Sequence, residues 1–252
     1  AETHQMVVAG AGDIQIDVLV SKLKSRFSVE AVLDTPRAPY REKIRKTVSK
    51  QGKFKKQTGG SGQYGDVWVR FEPCDEEEMV FAEEVFGGSV PRNYFPAVEK
   101  GLRENIRKGV LAGYPMVGLH AKLYDGSYHP VDSSEMAFKT AARIAYKKGC
   151  MDANPVLLEP IMKVSVIVPD EYLANVIGDL NGRRGMIQGQ ESRPGATQID
   201  ALVPLANMFG YATDLRSSTQ GRGQYSMEPH SYVEIPKSIA EKIIAERGRK
   251  ED

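Results

Sequence analysis

The chain has 252 residues, 41% apolar and 27% charged, with a formal net charge of +1. That is enough material for one to three buried cores, and it excludes a fibrous or compositionally disordered chain. No apolar run approaches the ~18 residues of a membrane helix. The opening AETHQMVVAGAGD has no basic stretch followed by an apolar one, so no signal peptide is expected. The two cysteines, Cys74 and Cys150, are far apart in sequence, which points away from a disulfide framework and toward a reducing, cytoplasmic setting.

In chain order, residues 6–9 read as a short strand, and Asp13 as a helix cap. Ile14, Val18, Leu19, Leu23 and Phe27 follow helical spacing, and residues 29–33 read as a second strand. Pro36 and Pro39 mark a boundary. Residues 40–86 are strand-rich, with 43–57 highly charged, 67–71 alternating and 79–86 a third candidate. A helix opens near Pro91 with Ala97, Val98, Gly101, Leu102, Asn105 and Ile106 on one stripe, and ends at Gly109. Residues 115–124 form a strand, 125–130 a turn, and Asp132 to Glu135 resembles a capping box. The alanine-rich helix that follows implies close packing against a neighbour. From Pro160 the order is a strand at 161–168, a helix capped by Asp170 and stopped at Asn181-Gly182, and a hairpin turning at Pro194-Gly195. A helix through Leu215, a strand at 224–234 and a tail helix from Pro236 complete it. The pattern β-α-β-β-α-β is ferredoxin-like, and the fold class is α+β in at least two domains.

The near-neutral total hides an uneven distribution. From Arg37 to Thr58 there are nine basic residues and a single acid, Glu42. Such a stripe suits a polyanion, with nucleic acid the usual candidate; the alternative is a solvated strand edge carrying lysines. Two glycine-rich stretches, TGGSGQYG at 58–65 and TQGRGQYS at 219–226, invite comparison with phosphate cradles. The first has the glycine spacing of a P-loop. However, Asp66 stands where the phosphate-binding lysine belongs, and a strand follows where a helix is required. No metal-ligand spacing joins His4, His120, His129 and His230, and no nucleophile motif is present, so no catalytic or metal-binding residue is expected. His120 alternates with apolar residues and reads as structural, while His129 sits in a polar turn. A glycine loop beside basic strands suits RNA: its N–H groups can approach sugar and phosphate, Gln63 can bond a base edge or 2′-OH, and Tyr64 offers a stacking face.

At this level of detail the chain resembles the C-terminal part of translation elongation factor G or a close paralogue. The resemblance rests on DTPRAPYREKIRK, KKQTGGSGQYGDVWVRFEP, GGSVPRNYFPAVEKGLRE, GVLAGYPMVGLHAKLYDGSYHPVDSSEMAFK, ANPVLLEPIMKVSVIVPDEY, VIGDLNGRRGMI and MFGYATDLRSSTQGRGQYSM, in that order. It implies a partial ferredoxin-like βαβ in residues 1–36, the second half of domain III. A ribosomal-protein-S5-domain-2-like α+β domain (domain IV) follows in 37–157, then a ferredoxin-like βαββαβ domain with a C-terminal helix (domain V) in 158–252. It also implies a parent that is a monomeric, cytoplasmic translational GTPase using GTP and Mg, with no cofactor in this chain.

The family's domain IV contacts tRNA and mRNA in the decoding region of the ribosome during translocation, through two tip loops. By resemblance these are Gly59, Gly60, Ser61, Gly62, Gln63 and Tyr64, and Asp125, Gly126, Ser127, Tyr128, His129 and Pro130, with His129 on the family's tip histidine. Arg216, Thr219, Gly221 and Arg222 would face the sarcin-ricin loop of ribosomal RNA. Ser61 stands where the family commonly has arginine, and Pro130 where it commonly has an acid. Those departures leave open a paralogue acting in recycling, back-translocation or ribosome protection, and a non-ribosomal RNA-binding protein is the third reading.

Overall fold

The computed structural model describes residues 3, 5–10, 12–57, 60 and 62–248. The chain divides into two compact units, residues 40–158 with 234–252, and residues 1–39 with 159–233.

The first of these is built on a four-stranded sheet ordered β2-β3-β5-β4, from β2 (Val48–Lys56), β3 (Gln63–Pro73), β4 (Val80–Glu83) and β5 (Leu119–Ser127). Strand β4 pairs parallel to β5, and the other pairs are antiparallel. The parallel pair requires a crossover, which is supplied by α2 (Phe95–Asn105). Along β3 the alternation works as the sequence implies. Val67, Val69 and Phe71 are buried, while Arg70 and Trp68 lie on the other face with Tyr124. Helix α3 (Glu135–Asp152) buries Ala137, Ala141, Ala142 and Ala145.

The alanines let α3 approach so closely that the sheet must answer with glycine. A Cβ on Gly52 of β2 would lie 1.9 Å from the carbonyl oxygen of Ala141, and one on Gly65 of β3 would lie 2.4 Å from that of Ala137. Neither is a conformational requirement; both are matters of space between two backbones.

A second anchor in this unit is electrostatic. Glu42, in β1 (Arg41–Lys43), is fully buried. Its Oε1 accepts the N–H groups of Ala112 (2.8 Å) and Tyr114 (3.2 Å), and its Oε2 accepts that of Leu111 (2.9 Å). The loop after α2 thus wraps around a carboxylate that takes up its orphan donors. Burial nevertheless raises the pKa of this carboxyl above the ordinary glutamate value, against the lowering effect of the N–H groups. Strand β1 pairs antiparallel with the opening residues of β6 (Val156–Pro169). Beside it, Leu157 and Ile235 form a satellite core with Ile239 and Ile243 of α6 (Lys237–Gly248).

The other unit carries the expected ferredoxin-like order. Its strands run β9-β6-β8-β7, with β7 (Met186–Arg193), β8 (Ala196–Pro204) and β9 (Gln224–Glu234). Helices α4 (Leu173–Gly182) and α5 (Tyr211–Ser218) contribute Val176, Leu180, Tyr211 and Leu215 to a core with Val164, Val166, Val168 and Ile199. The β7–β8 hairpin turns at Gly195, whose φ of 74° is a left-handed value that glycine adopts without strain. Before this fold comes α1 (Asp13–Phe27), none of whose residues is buried.

Several expectations change: the cap position of α4 is Tyr172 and not Asp170, and α2 ends at Asn105, short of Gly109. Residues 6–9 and 29–33 are not hydrogen-bonded strands among the described residues, because no neighbouring strand is there to pair with them. Gly12 occupies the cap position of α1, with Asp13 already in the first turn. Asp125 and Gly126 belong to β5, which a bulge at Trp68/Val69 carries on beside β3. Helix α3 is capped by Ser134, whose Oγ accepts the Ala137 N–H, and not by Asp132.

These contacts set the expected response to substitution. Gly52→Ala should lower stability in urea unfolding by about 1–3 kcal/mol, since the backbone of α3 must move. Gly178→Ala in α4, where a Cβ meets open space, should raise it by about 0.5–1 kcal/mol. Glu42→Ala should cost about 3 kcal/mol by stranding buried N–H groups. Because the folded state holds the Glu42 proton more tightly than the unfolded chain, wild-type stability should carry a falling contribution as pH rises above the ordinary carboxyl range, and the variant should lack it. An unchanged midpoint for Glu42→Ala would contradict the anchor.

Candidate nucleic-acid interface

The β2–β3 hairpin and the loop from β5 to α3 leave the sheet at the same end. Lys56 pairs with Gln63 across the hairpin, and Ser127, the last residue of β5, lies opposite Asp66 of β3. Main-chain and hydroxyl contacts then clasp the two loops together. The Tyr64 N–H donates to the Asp132 carbonyl (2.8 Å), and Ser133 Oγ donates to the Tyr64 carbonyl (2.9 Å) while accepting the His129 N–H (2.8 Å). The Tyr64 hydroxyl lies 2.6 Å from Ser127 Oγ, which itself donates to Asp66 Oδ2 (2.7 Å). Gln51 Nε2 supplies the other Asp66 oxygen (2.8 Å). From below, the Tyr94 hydroxyl donates to the Ser133 carbonyl (3.2 Å), and its ring stacks on Phe138 at 4.5 Å. Gly62 is required by proximity: a Cβ there would be 2.6 Å from the Asp132 carboxylate.

The clasp orients His129. Its Nδ1 accepts the N–H groups of Asp132 (3.1 Å) and Val131 (3.3 Å). The Asp132 carboxylate also lies 3.4 Å from this Nδ1, so Nε2 is the nitrogen left to face an outside partner. The ring centroid is 6.3 Å from that of Tyr64, with planes tilted by 51°. Gln63, Tyr128, His129, Pro130 and Val131 are exposed.

Charge is distributed to match. The basic stripe divides along its length. Arg41 pairs with Glu77, Arg45 with Glu234 and Lys50 with Asp152. Toward the hairpin end, Lys53, Lys55 and Lys56 are exposed and carry no ion pair among the described residues, and Lys53 Nζ stands 5.6 Å from the Tyr64 ring centroid. Lys43 and Lys46 carry no ion pair among the described residues either, but Lys53, Lys55 and Lys56 are the unneutralised cations on the strand that leads into the loops. Together the residues offer hydrogen-bond donors, aromatic faces and positive charge, the equipment for a phosphate backbone and unstacked bases. The glycine loop does not fit a nucleotide phosphate: β3 follows it directly, and the buried Asp66 carboxylate stands in the lysine position.

Of the residues expected here, the structure brings Gly62, Gln63, Tyr64, Ser127, Tyr128, His129 and Pro130 together. Gly60 is present with open space around its Cβ position, while Gly59 and Ser61 lie outside the described residues. Asp125 is exposed and caps the Gly126 N–H. Gly126 is instead a packing glycine, with a Cβ there falling 2.2 Å from the Asp66 carbonyl. Asp132 and Ser133 hold the loops together, and sequence reading missed them in that role; the run Asp132-Ser133-Ser134 after a proline was the available signal.

The remaining four residues lie in the other unit, after α5. Thr219 is fully buried: its Oγ1 donates to the Leu215 carbonyl (2.6 Å) and accepts the Gly223 N–H (2.9 Å), so it shapes the turn and cannot be a surface contact. Gly221 takes a φ of 77°. Arg222 pairs with Glu171 and stands 5.7 Å from the centroid of Tyr172, and Arg216 lies beside Gly12.

Family comparisons agree along the chain. Residues 1–35 match the family described as Elongation Factor G, domain III; residues 36–154 match Elongation factor G, domain IV; and residues 156–243 match Elongation factor G C-terminus. A crystal structure of a protein from Thermus thermophilus is similar over 98% of this chain, at 43% sequence identity and a TM-score of 0.87. The match spans 37% of that protein's chain. The chain belongs to the elongation factor G family and corresponds to its later domains, III in part, IV and V.

Proposed function

We propose that this chain is the ribosome-binding region of a translational GTPase that promotes movement of tRNA and mRNA, with the clasped loops as its RNA contact. The observation that carries this reading is the exposure of Gln63 and His129 on two joined loops beside the unpaired Lys53, Lys55 and Lys56. The lysines set position through phosphates, and the loop residues respond to RNA shape, which suits a partner whose sequence changes with every codon. The closely packed α3 and sheet form a stiff support, so displacement of the whole factor reaches the RNA. GTP and Mg are held by parts of the parent outside this chain, and their chemistry switches domain orientation. The setting is the cytoplasm, and the ribosomal partner of the other unit includes the sarcin-ricin loop. Ser61 and Pro130, which depart from the family pattern, favour a second reading as a specialised relative in recycling, back-translocation or ribosome protection.

The test uses the full-length factor. His129→Ala should slow tRNA–mRNA movement by roughly tenfold, the scale of one lost base contact, with an unchanged melting temperature. Ser133→Ala should lower both rate and stability, because it opens the clasp. An unchanged rate in His129→Ala would contradict the loop assignment, and a factor that binds ribosomes without moving tRNA would favour the second reading. Replacing Lys53, Lys55 and Lys56 with glutamine should reduce the slope of log affinity for ribosomes against log salt by about two to three. The chain by itself should show no saturable GTP binding.

A further inference from the structure

In the unit of residues 40–158 and 234–252 there is a cavity of about 500 Å³ between the loop after α2, the C-terminal half of α3 and the end of α6. Its walls include Lys108, Arg143, Lys147 and Arg247, and among the described residues no carboxylate lines it. The volume is in the range of small-molecule sites. The tip clasp joins the N-terminal end of α3, whereas this cavity lies along its C-terminal half, so the two are separate features of one helix.

Three observations indicate what the cavity accepts. Arg143 and Lys147 are four residues apart on α3, where like charges face each other and repel. Neither has an ion-pair or hydrogen-bond partner among the described residues. One turn earlier on the same stripe, Lys139, which does not line this cavity, pairs with Glu104 at 2.7 Å, so this row is neutralised there. Arg247 stands 5.1 Å from the Tyr114 ring centroid, and its buried Nε has no hydrogen-bond partner among the described residues. A buried guanidinium N–H left unmade is costly, and an acceptor entering the cavity would relieve it. The buried Glu42 carboxylate below this loop is engaged by Leu111, Ala112 and Tyr114, so it is held away as a competing partner.

We propose that this cavity is a binding site for a phosphate-rich anion, two or more linked phosphate groups held by Arg143, Lys147 and Arg247. Multiple cations around a pocket of this size fit a di- or polyphosphate better than a single carboxylate, and guanidinium groups suit phosphate oxygens geometrically. The phosphates come either from a free phosphorylated molecule or from an RNA backbone.

Calorimetric titration of the 252-residue chain with inorganic pyrophosphate at low salt tests the site. The expected result is saturable binding at one site, weakened at least tenfold in an Arg143→Gln/Lys147→Gln double variant whose unfolding midpoint is unchanged. Arg247→Gln should weaken it as well. Glutamine at Lys53, Lys55 and Lys56 should leave it unaltered, which separates this site from the loops. Displacement of pyrophosphate by a twelve-nucleotide single-stranded RNA would support the site with RNA as its source, and binding that such RNA does not displace would support it with a free phosphorylated molecule. Absence of saturable binding, or equal binding by the double variant, would overturn the proposal, as would loss of binding in the lysine triple variant.

Discussion

The functional geometry depends on the clasp between Tyr64 and the Asp132–Ser133 backbone. Without it, a hairpin end and a strand–helix loop about seventy positions apart would each carry its own conformational freedom. With it, the Tyr64 N–H and carbonyl are both engaged, the Ser133 hydroxyl serves both loops, and His129 is fixed by the same hydroxyl. The ordering entropy of the two loops is met in advance, so a partner that binds both faces a prepared surface.

The clasp is possible because of what lies beneath it. α3 begins directly after its Ser134 cap, the residue next to Ser133, and its alanine face sits on glycines in β2 and β3. That contact fixes where the helix starts and therefore where the loop must end. Asp66 completes the support: a buried carboxylate taking Gln51 and Ser127 as donors, it ties β2 and β5 to the middle strand at the loop end. The same residue that disqualifies the glycine stretch as a phosphate cradle is thus the reason the stretch is held in place. Electrostatics follows a similar division. Arg41, Arg45 and Lys50 are matched by acids, whereas Lys53, Lys55 and Lys56 beside the loops carry no ion pair among the described residues.

Much of this was legible in the chain, and the exceptions have physical causes. The β-α-β-β-α-β order is legible because β6 and β8 alternate and the turn between β7 and β8 has its proline and glycine. Strand β9 begins and ends where the pattern places it, at residues 224 and 234. The exposed residues of the loops were found because polar, glycine-rich sequence between strands is a local signal. The clasp was not: the run Asp132-Ser133-Ser134 marks a polar turn, but nothing local says that its serine hydroxyl bridges to a backbone about seventy positions away. Thr219, placed on an RNA-facing surface by resemblance alone, is buried, and its hydroxyl satisfies backbone groups of its own turn. Residues 6–9 and 29–33 have strand-like composition, but pairing is a property of neighbours and not of a segment.

The central claim is that the two joined loops of the domain IV unit meet RNA. The most direct measurement places a photoreactive amino acid at Tyr128, an exposed loop position, in the full-length factor bound to ribosomes, and identifies what it crosslinks. The account predicts crosslinks to RNA in the region that holds tRNA and mRNA. Crosslinks confined to ribosomal protein, or none at all from a factor shown to be bound, would contradict it.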